Sequence, residues 1–599
     1  MSKPSFTFRK VAVAAVLAAW SAWPQGMAVP RRTGAVSSPV ETKLPAISVD
    51  FRDIAAQAGL TAVNVSGSPL AKKYILEATG SGVVIFDYDN DGLMDIFIVN
   101  GTAYDLPPGE PPPTSHLYHN LGNLQFEDVS AKAGFKRTGW GQGVCAGDYD
   151  NDGFKDLFVT YYGQSSLYHN EKNGTFREVT NEAGLGHADV RWDTGCSFAD
   201  YDLDGRLDLM VTGYIDFDKT QVPEPGSSDK CRWKGLPVMC GPRGMPRGRN
   251  YLFHNQAGGT FADVSQVSGV GKPAGCYGFT VVASDFNNDG YPDFYVACDS
   301  TPSLLYKNLK NGTFEETGIA AGVALNEDGQ EQAGMGVAVA DYDDDGFFDI
   351  AKTNFSEDAV NLYHNNRDGS FTDLVNASGL GAHTQYLGWG IHFIDVDNDG
   401  RKELLVVNGH VYPNVDSANI EAHYRQPRLL YWNVGGGKFR DVSGEAGGAI
   451  REAWSSRGSA AGDLDNDGSL EVVIVNQGAP PSLLKNFGPH QNWLLVRCEG
   501  ITSNRDAVGA RVFVTVPGSS GSQAGTSKRY AGEIQTGSGF LSQNDSRLHY
   551  GLGAALRYEK IEVAWPGGVR EIFPGGAGNR IVTLRQGAGA RVGAGGAKR

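Results

Sequence analysis

Short apolar runs separated by acidic, glycine-bearing turns set the rhythm of this chain. Val83-Val84-Ile85-Phe86 precedes one such turn and Ile96-Phe97-Ile98-Val99 follows it, so the turn joins two buried β-strands. Downstream come an aromatic-x-Asn piece, Tyr118-His119-Asn120, and a piece that begins at Phe, Phe126-Glu127-Asp128-Val129. The pattern predicts a four-stranded unit that recurs about every 50–60 residues, the size of a propeller blade.

The turn itself is the clearest repeat. It reads Asp87-Tyr-Asp89-Asn-Asp91-Gly92-Leu-Met-Asp95, then Asp148-Tyr-Asp150-Asn-Asp152-Gly153-Phe-Lys-Asp156, then Asp200-Tyr-Asp202-Leu-Asp204-Gly205-Arg-Leu-Asp208. It returns as Asp285-Phe-Asn287-Asn-Asp289-Gly290-Tyr-Pro-Asp293 and Asp341-Tyr-Asp343-Asp-Asp345-Gly346-Phe-Phe-Asp349. The last two copies, Asp395-Val-Asp397-Asn-Asp399-Gly400-Arg-Lys-Glu403 and Asp463-Leu-Asp465-Asn-Asp467-Gly468-Ser-Leu-Glu471, end on Glu. Successive starts lie 61, 52, 85, 56, 54 and 68 residues apart.

The Phe piece follows the first six turns, at Phe126, Phe176, Phe261, Phe314, Phe371 and Phe439, but not the seventh. The missing copy stands at the other end of the chain as Phe51-Arg52-Asp53-Ile54. This predicts an all-β, seven-bladed β-propeller over residues 51–488, closed by the N-terminal strand, which leaves no exposed sheet edge at the seam.

Positions 1, 3, 5 and 9 of each turn carry side-chain oxygens, position 7 can add its carbonyl, and the Gly at position 6 lets the backbone turn sharply. Ca²⁺ takes six to eight such oxygens at about 2.3–2.6 Å, and Mg²⁺ demands a stricter, wetter octahedron. Position 12, where an EF-hand places its closing Glu, reads Ile98, Val159, Val211, Val296, Lys352, Val406 and Ile474, so each site is a β-hairpin loop. These loops resemble the FG-GAP/VCBS repeats of integrin-α-type propellers, and the resemblance implies the same ligand positions. Calcium at up to seven sites is expected.

Composition changes this picture in two ways. The chain of 599 residues has 80 glycines, which fits many tight turns, and 68 acidic against 52 basic side chains give a net charge of −16. That balance argues against nucleic-acid binding. The 27 motif carboxylates hold much of the negative charge, and seven divalent ions would leave about −2. At the N-terminus, Lys3, Arg9 and Lys10 precede an apolar stretch from Val11 to about Trp23 and a small residue at Ala28. Residues 1–28 are read as a signal peptide and 29–50 as a linker; no other run reaches membrane length, so no transmembrane segment is expected after cleavage. The expected location is secreted, periplasmic or extracellular, where disulfides persist.

Departures from the repeat are where specific activity is sought. The longest insertion, about Asp216 to Asn250, carries Lys230, Arg232, Lys234, Arg243, Arg247 and Arg249. Its Cys231 and Cys240 are spaced for a small disulfide loop. Arg243, Arg247 and Arg249 are read as contacts for an anionic partner; the alternative is a loop packed over its own acidic blades. A second insertion, from Asn408 to Arg425, is read as a packed loop. His119, His169, His254 and His364 share one repeat position and are read as blade surface. Cys145 and Cys196 precede their turns by three and four residues, on opposite strand faces, which makes pairing between them doubtful. Cys276 and Cys298 could pair, and Cys498 lies apart.

After Asn486 the acidic turns stop. Asn492-Trp493-Leu494-Leu495-Val496, Gly539-Phe540-Leu541-Ser542-Gln543, His549-Tyr550-Gly551-Leu552-Gly553 and Ile561-Glu562-Val563-Ala564-Trp565 suggest a small β-rich domain over 489–586, with a disordered tail at 587–599. These segments resemble the ASPIC/UnbV domain found behind FG-GAP repeats in the cartilage acidic protein family. The resemblance implies an exported protein that binds or adheres to extracellular protein or glycan partners. The alternative is an exported lyase or hydrolase acting on an anionic polysaccharide, although no nucleophile elbow, His-Glu zinc motif or phosphate loop is found and no catalytic residue is assigned.

Overall fold

The computed structural model describes residues 47–592, apart from 107, 273–274, 419 and 519–525. The expected signal peptide, most of the linker and the end of the tail lie outside the described residues. Within them the chain forms seven four-stranded antiparallel blades. Their innermost strands are Val83–Phe86, Trp140–Gly147, Arg191–Ala199, Gly278–Ser284, Gly334–Ala340, Gly388–Ile394 and Ser456–Gly462. Each innermost strand touches the next around the ring, and the seventh touches the first. Because every blade is covered on both faces by its neighbours, these strands are buried along almost their whole length, and the apolar run Val83–Phe86 is the plainest case.

The ring closes as the sequence predicts. Phe51–Asp53 is the outer strand of blade 7, with Phe51 opposite Asn486 and Asp53 opposite Leu484. Ahead of this strand, Ile47 and Val49 are buried in the same cluster, and Asp50 N donates to Asn486 Oδ1 at 2.9 Å.

Residues 492–591 form two further sheets. Asn492–Glu499 lies between Leu548–Gly553 and, in parallel, Arg580–Arg585. The second sheet runs Lys528–Glu533, Arg511–Val516, Arg557–Ala564, Arg570–Ala577 and Ala590–Arg591. Pairing of Ala590 with Ile572 carries ordered structure past the expected limit of 586. The apolar core of this unit, including Val512, Ile561, Val563 and Phe573, is continuous with Phe158, Phe198 and Leu209 of blades 2 and 3.

The segment 534–547 differs from the expectation of a strand in the terminal domain. It leaves that domain and enters the middle of the propeller. Gln543 Nε2 donates to Ala146 O and its Oε1 accepts from Ala146 N, while Gln543 N donates to Val83 O. Thr536 meets Ser197 and Phe198, Leu541 N donates to Thr280 Oγ1, and Gly539 exchanges two backbone bonds with Val337. Phe540 packs on Trp389 at 4.6 Å and Asn544 accepts from Ala461 N. All seven innermost strands are thereby engaged, so the central channel is filled by chain. Sequence pattern could not reveal this, because the segment makes its contacts with strands far from it in the chain.

The cysteines bring a correction. Cys145 and Cys196, doubted as partners, are disulfide-bonded. They lie on adjacent blades, and blades stack face to face, so residues that meet across the interface must sit on opposite faces of equivalent strands. Opposite parity therefore favours the bond. Cys231 bonds Cys240 and Cys276 bonds Cys298. Cys498 is unpaired and buried, and desolvation pushes its thiol up to about 12.

Candidate metal centres

Each acidic turn links the innermost strand of a blade to its second strand. Two features make it close. The residue at position 4 is left-handed in all seven copies, from Asn90 (φ 61°) to Asn466 (φ 60°), and the position-6 glycines hold φ between 85° and 96°, where a Cβ would be strained. The position-1 carboxylate then accepts from two backbone amides: Asp87 takes Asp91 N and Gly92 N, each at 3.1 Å. Asp148, Asp200, Asp285, Asp341, Asp395 and Asp463 repeat both bonds within 2.8–3.1 Å.

The position-9 carboxylate is fixed from the third strand. Asp95, Asp156, Asp208, Asp293 and Asp349 each accept the backbone N–H of the aromatic-x-Asn asparagine at 2.8 Å. Glu403 and Glu471, with longer arms, accept instead from Val396 N and Leu464 N at 3.0 and 2.9 Å. Backbone donors thus hold the carboxylates of positions 1 and 9 close to those of 3 and 5. Carboxylate oxygens of Asp87, Asp89 and Asp91 lie within 4.8 Å of one another.

So many buried carboxylates repel and lack water. Burial, with Asp506 nearby, pushes Asp148 up to about 8; burial with Asp399 and Asp397 does the same to Asp395. Asp156, Asp200, Asp341 and Asp463 rise to about 7, with burial the largest cause. Asp156 Oδ2, Asp202 Oδ1, Glu403 Oε1 and Asp465 Oδ1 are buried without a hydrogen-bond partner. The loop oxygens, with their orphaned, desolvated anionic atoms, fit a hard divalent cation, and in four loops a histidine nitrogen stands at the edge of the oxygen cluster.

Sequence reasoning missed one layer of these sites. His119, His169, His254 and His364, read as blade surface, put Nδ1 3.1–3.2 Å from the position-9 Asp and 3.5–3.6 Å from the position-3 Asp. The signal was available: each directly precedes the asparagine that binds the position-9 carboxylate. In blade 7 the same position is Lys485. Its ammonium donates to Asp465 at 2.7 Å, Asp467 at 3.0 Å and Glu471 at 3.1 Å, so this loop already contains a cation. In blade 4, Asn287 replaces the position-3 carboxylate and donates to Asp293 at 3.4 Å.

The terminal domain sits against the same loops. Asp506 accepts from Asp148 N, Arg505 N donates to Asn151, and Arg547 reaches Asn466 Oδ1 and Asp463 O at 2.6 and 2.5 Å.

The basic insertion caps the other end of the filled channel. Trp233, Val238 and Met239 are buried with Trp192, Tyr214, Trp389 and Tyr412. Lys234 pairs with Glu357 at 2.8 Å and Arg243 with Glu331 at 3.5 Å, while Arg247 and Arg249 are exposed. His410, in the second insertion, is fully buried, and burial pulls it down to about 3.

Comparison with known families agrees with this two-part build. The FG-GAP-like repeat model matches residues 87–159, 148–211, 238–296, 285–351 and 353–406, and the ASPIC and UnbV model matches 500–591. The chain is an FG-GAP-repeat β-propeller protein with a C-terminal ASPIC and UnbV domain. It is homologous to cartilage acidic protein 1 of Mus musculus, 24% identical over 510 residues that span 81% of this chain and 70% of that protein. Integrin alpha-3 of Cricetulus griseus is 27% identical over 164 residues, 25% of this chain and 15% of that one. Among solved structures, a lectin of Agrocybe aegerita that recognises non-reducing terminal N-acetylglucosamine gives a TM-score of 0.36 at 15% identity, covering 72% of this chain and 96% of its own. No helix among the described residues is long and apolar enough to cross a membrane.

Proposed function

We propose that the protein is an exported calcium-binding propeller that acts in extracellular binding or adhesion to a protein or glycan. The observation that carries the calcium reading is the set of orphaned carboxylate oxygens, Asp156 Oδ2, Asp202 Oδ1 and Glu403 Oε1, each inside a loop whose backbone already holds the neighbouring carboxylates in place. Calcium would be held by positions 1, 3, 5 and 9 of the first six loops. In the seventh, the Lys485 ammonium takes its place, so six ions per chain are expected. When bound, calcium supplies charge compensation; the chain's own residues supply rigidity, because each loop is also bonded to a neighbouring blade.

The binding reading is supported by kinship with cartilage acidic protein 1 and integrin alpha-3 and by a scaffold whose exposed Arg247 and Arg249 lie beside the channel cap. Fold alone does not fix function. The test is retention of the calcium-loaded chain on arrays of extracellular proteins and glycans, with product formation scored separately. Loss of a retained partner on replacing Arg243, Arg247 and Arg249 by Ser supports the reading; turnover of a polysaccharide overturns it in favour of an enzyme.

A further inference from the structure

We propose that the seam between the propeller and the terminal domain contains an oxyanion site centred on Arg511, Arg529 and Arg570. A cavity of about 480 Å³ opens there, within the range of small-ligand sites. Its place follows from the repeat. Position-4 asparagines bond the loop glycine of the next blade across five seams, as Asn90 does to Gly153 O at 2.9 Å and Asn288 to Gly346 O at 3.3 Å. Blade 3 has Leu203 at that position, which cannot donate, and the cavity lies beside it, between blades 3 and 4.

Three guanidiniums line it. The Arg529 guanidinium lies 3.6 Å from the Phe513 ring centroid, and that of Arg511 lies between Phe348 at 4.6 Å and Phe513 at 5.7 Å. Arg511 is 8% exposed, and although Nη2 donates to Gly346 O at 2.9 Å, its Nε has no partner. Its nearest carboxylate, Asp285, is 3.8 Å away. Arg529 and Arg570 share a single carboxylate, Glu562, at 3.7 and 3.4 Å. Desolvation and the like charges of Arg570 and Arg511 hold Arg529 below its ordinary value despite Glu562. Three convergent planar forks with one unused buried donor match a sulfate, phosphate or carboxylate group.

The site rests on the calcium reading, because Asp200, Asp285, Asp289 and Asp345 border the same cavity and must be compensated before an anion can enter; Glu533, which also lines it, accepts from Ser284 Oγ at 2.5 Å. The experiment is calorimetric titration of the full chain, its calcium content measured, with inorganic sulfate and with a sulfated monosaccharide at constant ionic strength. Saturable binding is expected, weakened about tenfold by Arg529→Gln and again by Arg570→Gln; both residues are half-exposed, so the fold should survive their replacement. Equal affinity for the two probes marks a free anion as the ligand, and tighter sugar binding marks a sulfated glycan; either supports the site. A loaded chain that binds neither probe, or variants that bind as well as the parent, overturns it alone. A chain that takes up no calcium overturns the calcium reading and this site with it.

Discussion

Asn170, on the third strand of blade 2, donates its Nδ2 to Tyr88 O in the acidic loop of blade 1 at 2.8 Å. The bond recurs at every seam. Asn120, Asn255, Asn308, Asn365, Asn433 and Asn486 each donate to the position-2 carbonyl of the preceding blade's loop, at 2.7–3.0 Å. In blades 1 to 5 this residue therefore orders the acidic loop of its own blade through its backbone N–H, and in every blade it fastens the neighbouring loop through its side chain. Blades 6 and 7 differ in the first part, since Glu403 and Glu471 accept instead from Val396 N and Leu464 N.

Replacing Asn170 by Ala removes the partner of a buried carbonyl, Tyr88 O, and of the half-buried Lys155 O. A loss of about 2–3 kcal/mol is expected in denaturant unfolding. Leu121→Ala, on an exposed side chain in the neighbouring blade, should change stability by less than about 0.5 kcal/mol.

Chelation should loosen the ring as a whole. A ligand that binds only the folded state stabilises it by RT ln(1 + [L]/Kd), about 2.7 kcal/mol per site at a hundredfold excess over Kd. Titration with EGTA should therefore lower the melting temperature by many degrees, and added calcium should restore it. An unchanged melting curve across the titration would refute metal-dependent stability.

The metal count tests Lys485. Elemental analysis of the parent should find six calcium ions per chain, and Lys485→Met should gain a seventh. The variant should also become more sensitive to chelation, because the Asp465, Asp467 and Glu471 carboxylates lose their built-in cation.

The filled channel makes the terminal domain part of the propeller's stability. Gln543→Ala strips Ala146 N and Ala146 O of their partners deep in the ring, which should cost about 2–3 kcal/mol. Hydrogen exchange at Val144 and Ala146 should quicken in this variant, while exchange in the Arg557–Ala564 strand stays slow.

Much of this was legible from the chain alone because the repeat writes local structure directly. An apolar run, nine turn residues with fixed Gly and Asp, and a second apolar run specify a hairpin whatever surrounds it, and seven copies with one displaced Phe piece specify how the ring closes. The place of His119, His169, His254 and His364 is not legible locally, because it depends on the third strand's register against the second, which places His119 beside Asp95. The Cys145–Cys196 bond is hidden for the same kind of reason: strand parity speaks of one sheet, and the bond is made between blades.

By itself, then, the sequence determined the blades, their number, the acidic loops and the two-part organisation, since each rests on contacts between residues near in the chain or on a pattern repeated seven times. Only the tertiary structure decided that residues 534–547 fill the channel, that Lys485 occupies the seventh loop, that the basic insertion folds back as a cap, and that three arginines converge at the seam beside Leu203. Those are single, unrepeated contacts between segments often hundreds of residues apart, and no periodicity records them.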